Sequence, residues 1–97
     1  MEIHHDAVRQ RFVAEIADAE AVLEYSQRAD GALDYRHTYT PPALRGQGIA
    51  GSIVLFALDY ARAHDVKVVP TCWFVRRVLH AHPEYASVIA DSAIAPQ

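Results

Sequence analysis

Cysteine, methionine and tryptophan each occur once in these 97 residues, and glycine only four times. A lone cysteine, Cys72, excludes an intramolecular disulfide framework, which fits a reducing compartment and leaves one thiol for other chemistry. Long apolar runs are also missing: the longest, Ile53 to Leu58, falls far short of the roughly 20 residues that a bilayer span requires. Met1 to Asp6 has no basic stretch followed by an apolar one, so no export signal is read, and a cytoplasmic location away from membranes is expected. Basic charge is not in excess either. With histidine neutral the net charge is −3, which argues against nucleic acid as a partner. What remains is 52% hydrophobic and 22% charged, the balance of one folded domain over 1–97, with a core at about 8–90 and a frayed tail at 91–97.

Apolar periodicity orders the chain. After a polar start, Arg11 to Ile16 alternates with Phe12, Ala14 and Ile16 on one face, and after a tight connection through Asp18 Ala21, Leu23 and Tyr25 share a face opposite Glu20, Val22, Glu24 and Ser26. Asp30-Gly31 signals a turn, and Leu33, Tyr35, His37 and Tyr39 then alternate up to Pro41-Pro42. These runs predict an antiparallel meander. Ile49, Ile53, Phe56, Ala57 and Tyr60 recur at helical spacing, which predicts a largely buried helix from Gly48 to about His64. Val66 to Val69 is short and β-branched and should return parallel to the strand before the prolines. Pro70 ends that strand, and Thr71 is the expected N-cap of a second helix whose apolar face holds Phe74, Val75, Val78 and Leu79. Pro83 stops it, and Ala86 to Ala90 should form a helical turn or an edge segment. The fold class is α+β: a meander, a β-loop-helix-β crossover and a terminal helix.

The most informative stretch is Thr40-Pro41-Pro42-Ala43-Leu44-Arg45-Gly46-Gln47-Gly48-Ile49-Ala50. Prolines end the strand because they cannot donate to a ladder, and a helix starts at the glycines. Its first turn offers unpaired N–H groups and the positive dipole end, glycines admit a bulky anion close to the backbone, and Arg45 adds a planar cationic fork. Neither a Gly-Lys-Ser/Thr ending nor a three-glycine dinucleotide pattern is present, so a phosphate cradle of another kind is expected, with an ordinary proline turn before a helix as the alternative.

Strand, Pro-Pro, Arg-x-x-Gly-x-Ala and helix, in that order, resemble the acyl-CoA pyrophosphate loop of the GNAT N-acetyltransferase superfamily. That likeness assigns Arg45, Gly46, Gln47, Gly48, Ile49 and Ala50 to the pyrophosphate of CoA. Val69-Pro70-Thr71-Cys72-Trp73-Phe74-Val75, His82-Pro83-Glu84-Tyr85 and the His37-Thr38 pair further resemble a subfamily of very small single-domain GNAT-like proteins with a Pro-x-Cys-x-Phe stretch. The resemblance covers about His37 to Tyr85 and implies a minimal GNAT fold without the early helices of larger members. It also implies acetyl-CoA as cofactor, with Thr38, Tyr39 and Thr40 along the pantetheine arm, Phe74 and Arg76 as further CoA contacts, and Cys72 near the acyl thioester.

Which residues carry the chemistry stays open on two points. Cys72 falls at the end of a returning strand and the start of a helix, a place that favours thiolate, and it is equally a small residue suited to burial. The strand before the loop lacks the Glu base of many larger family members and holds only Asp34 and His37 as titratable groups. His37 is thus a candidate base, with a packed core histidine as its rival. His4, His5 and His64 read as surface residues, and the remaining histidines are not spaced for a metal. The function expected is acetyl transfer to an amine of a small molecule or protein, directly or through Cys72, by a monomer or homodimer. A CoA-binding or partner-binding module without turnover is the alternative.

Overall fold

The structure, a computed structural model, describes residues 1–90; the expected frayed tail at 91–97 lies outside the described residues. Five strands form one sheet in sequential order: β1 (Glu2–Asp6), β2 (Arg11–Ile16), β3 (Ala19–Gln27), β4 (Leu33–Tyr39) and β5 (Val68–Val69). The first four are antiparallel neighbours, whereas β5 runs parallel to β4, with Leu33 opposite Val68 and Asp34 opposite Val69. Helix α1 (Ile49–Ala63) makes the crossover between β4 and β5, and α2 (Trp73–Ala81) follows β5. This is the α+β arrangement expected, with one strand more.

The additional strand is the segment read as a polar start. Glu2, His4 and Asp6 alternate with Ile3 and His5, but two adjacent histidines hide the pattern from a hydropathy reading. His5 is not a surface residue. Its ring stacks on Phe12 at 4.4 Å, meets Tyr60 edge-on at 4.4 Å, and its Nε2 lies 2.6 Å from the Tyr25 hydroxyl. His64 stacks on the other side of this cluster, 4.1 Å from the Tyr60 ring.

One face of the sheet makes the core. Phe12, Ala14, Ala21, Leu23, Tyr25, Leu33 and Tyr35 pack against Ile53, Val54, Ala57, Leu58 and Ala61 of α1. The buried Tyr35 hydroxyl donates to the Ala57 carbonyl at 2.7 Å and so fastens β4 to α1. Burial on α1 is a stripe and not the full circumference, since Phe56 is 38% exposed. Helix α2 contributes Val75 and Val78. Its N-cap is Cys72 and not Thr71, with extended backbone angles at Cys72.

After α2, a 3-10 segment (Pro83–Val88) leads to Ile89, which bridges Val68 in parallel, so Ile89 and Ala90 cover the outer edge of β5 at Val68. Tyr85 anchors this segment. Its hydroxyl donates to Asp59 Oδ1 on α1 at 2.6 Å, and Arg62 lies over its ring at 4.7 Å.

Candidate functional site

The loop between β4 and α1 begins with a single 3-10 turn (Pro42–Leu44), in which proline occupies a first-turn position where no N–H is needed. Gly46 and Gly48 then take φ of 84° and 76°, and Gly48 is the N-cap of α1. This left-handed geometry is why glycine suits both positions. A Cβ on either would meet no atom within 4 Å, so the space beside both glycines is open. No side chain caps α1, so its first N–H groups stay available to a ligand.

Thr40, Arg45, Gly46, Gly48, Ile49, Ala50 and Phe74 line one cavity of about 250 Å³. Gln47 turns aside, with its amide 3.5 Å from the Ala43 carbonyl. Arg45 donates Nε–H to the Thr40 carbonyl at 2.8 Å and lies 5.9 Å from the Tyr39 ring, an arrangement that fixes the guanidinium while its two terminal nitrogens have no partner among the described residues. Leu44 and Gly51 also line the cavity and were missed in the sequence. Gly51, one helical residue after Ala50, was the available signal, since a small first-turn residue keeps the opening clear.

Next to the loop, β4 and β5 part. Their ladder covers only Leu33–Asp34 with Val68–Val69, and the last backbone bond between the two walls runs from Cys72 N–H to the Tyr35 carbonyl at 3.0 Å. Beyond it, β4 from Arg36 to Tyr39 has a strand neighbour on the β3 side only. The two walls meet again through side chains: Thr38 Oγ1 lies 3.7 Å from Cys72 Sγ, and Cys72 is 7% exposed.

A β-bulge decides which residues face this opening. Tyr25 pairs with Tyr35 and Glu24 with His37, so Arg36 is an extra residue on β4. The alternation read through Leu33, Tyr35, His37 and Tyr39 therefore breaks after Tyr35. Thr38 falls opposite the core residue Leu23, while His37 falls opposite Glu24 on the other face, where it is exposed. Asp34 lies on that other face too, between Ser26 and Val69, with Oδ1 buried and unpartnered among the described residues. The thiol is thus beside a threonine hydroxyl and not beside the histidine.

A family model described as a GCN5-related N-acetyl-transferase matches residues 11–88. The chain belongs to this family. Among its relatives is Protein NATD1 of Gallus gallus, 32% identical over 85 residues that cover 86% of this chain and 77% of the relative. Protein NATD1 of Homo sapiens is 32% identical over 83 residues, covering 84% and 74%, and that of Xenopus tropicalis is 31% identical over 83 residues, covering 84% and 76%.

In this GCN5-related domain Thr40 and Phe74 line the loop cavity, and Cys72, two residues before Phe74, lies against Thr38 of β4. Arg76 does not line that cavity. Its Nη1 donates to the Pro70 and Thr71 carbonyls at 3.1 and 2.6 Å, and it lines a different groove. No helix among the described residues is long and apolar enough to cross a membrane.

Proposed function

We propose that this GCN5-related domain transfers the acetyl group of acetyl-CoA to a primary amine of a small molecule or a protein. The observation that carries the reading is the single run of cradle, free β4 edge and Cys72. Arg45 and the amides from Gly46 to Ala50 hold the pyrophosphate, whose charge suits the donor set of that loop. The backbone at Thr38, Tyr39 and Thr40, where the Thr40 carbonyl also accepts from Arg45, bonds the amides of the pantetheine arm, and Phe74 closes the loop cavity beside it. Acetyl-CoA supplies an activated thioester.

Cys72 is the nucleophile tested first, because it stands where the strands part and its thiol lies 3.7 Å from the Thr38 hydroxyl. In the covalent route Cys72 gives up its proton and takes the acetyl group as the CoA thiol leaves. The amine then displaces the Cys72 thiolate, which recovers a proton as the product amide forms. In the direct route the amine attacks the thioester itself and loses its proton to water, since His37 lies on the other face of the sheet.

A second reading, CoA binding without turnover, gains weight from one feature. The titratable groups of β4, Asp34 and His37, lie on the sheet face away from the Thr38–Cys72 contact. Intact-protein mass spectrometry after incubation with acetyl-CoA, with a Cys72→Ala variant and a thermal-shift titration alongside, separates the readings. A thiol-labile acetyl adduct that depends on Cys72 is expected. A thermal shift without adduct, and without transfer to any amine, supports binding alone; no shift and no adduct rejects the cradle.

A further inference from the structure

Arg76 was expected at the phosphates, and its actual surroundings point elsewhere. On the far side of α2 from the loop cavity, Pro70, Leu79, Pro83 and Ile89 form the apolar walls of a groove of about 420 Å³, and the ionisable side chains in its lining are Arg76 and His80. That volume falls in the range of small-molecule sites, about 300–1,000 Å³. Among the described residues the lining contains no carboxylate. Arg76 has no acidic partner among the described residues. Its Nη1 is held by the Pro70 and Thr71 carbonyls, which orients the planar fork and leaves the remaining side-chain N–H donors without a partner among the described residues. Apolar walls with one pre-oriented, charge-unpaired guanidinium complement a ligand that has an aliphatic body and a single anionic head.

We propose that this groove is a second ligand site, for a free medium-chain aliphatic carboxylate, with the head on Arg76 and the chain along Pro70, Leu79 and Ile89. The site is independent of the cradle. It adjoins the Cys72 segment, because Arg76 also donates its backbone N–H to the Cys72 carbonyl at 3.2 Å.

Octanoate is the probe, added with CoA at saturation so that any binding at the loop cavity is blocked. Octylamine and octanol provide the cationic and neutral chains of equal length. Backbone amide NMR should show saturable shifts at Leu79, His80, Ala86 and Ile89 with octanoate, and none with octylamine. Arg76→Met keeps the apolar stem and should weaken octanoate at least about tenfold, the loss of one charge-assisted contact. The CoA-induced thermal shift of the same variant should persist. If Arg76→Met does not fold, Ala86→Phe, which fills the groove from the 3-10 segment, should abolish the octanoate shifts instead. Equal binding of octanol and octanoate, shifts confined to residues 46–50, or no saturable binding to the native protein would overturn the proposal.

Discussion

Replacing Gly48 by Ala perturbs the cradle at one atom. At a φ of 76° the added Cβ clashes with nothing, since no atom lies within 4 Å of its position. The left-handed backbone costs an L-residue about 1–2 kcal/mol, and the loss of glycine's unfolded-state freedom returns about 0.4–1 kcal/mol. The net loss is about 1 kcal/mol, a drop in Tm of about 4–8 °C in a domain of this size. Gly31, at a φ of 90° in the β3–β4 turn and equally free of neighbours, gives the same strain far from the loop. Gly31→Ala should therefore lower Tm by a similar amount and leave CoA affinity unchanged. Gly48→Ala should in addition weaken CoA by about tenfold, because the methyl group occupies the anion's approach to the first-turn N–H groups; about 1.4 kcal/mol corresponds to that factor. Isothermal titration of CoA against both folded variants is the assay. Equal affinities for the two would refute the cradle.

Other consequences follow from specific contacts. Tyr85→Phe removes the hydroxyl bonded to Asp59 and should cost about 1–2 kcal/mol in chemical denaturation, without altering CoA affinity. Burial among the aromatic rings, with the neighbouring charge of His64, lowers the His5 pKa below 6.5, and Asp6 opposes the shift in part. The unfolded chain then binds the proton more readily, so stability is complete above pH 6.5 and falls as the pH descends from 6.5 through the lowered folded value. Denaturation midpoints at pH 7.5 and 5.5 should show this slope, and His5→Phe should flatten it. His37→Ala should leave any acetyl adduct on Cys72 unchanged, whereas Thr38→Val, which removes the hydroxyl at 3.7 Å, should slow its formation.

The meander, the crossover helix and the parallel return were legible because each rests on a period or a breaker. Phe12, Leu23 and Leu33 mark the core face by alternation, and Pro41, Pro42 and Pro70 end their segments chemically. The geometry of the loop was legible for the same reason: glycines that need left-handed backbone, Gly46 and Gly48, stand beside an arginine. β1 was hidden because His5 packs as an aromatic residue while it is written as a polar one. The bulge at Arg36 was hidden more deeply. Tyr35, His37 and Tyr39 keep a perfect alternation on paper, and only the pairing with Glu24 and Tyr25 shows that the face changes between them. That single extra residue exchanges His37 for Thr38 beside the thiol. Arg76 was misassigned for a similar reason, since helical spacing fixes its face but not the two carbonyls that capture its guanidinium.

The most direct measurement is an acetyl-CoA titration followed by amide NMR of the native protein. Saturable shifts concentrated at Gly46, Gln47, Gly48, Ile49 and Ala50, with smaller ones at Thr38, Tyr39 and Thr40, are predicted. Shifts that bypass this loop, or none at millimolar acetyl-CoA, would contradict the assignment of the loop as the CoA site.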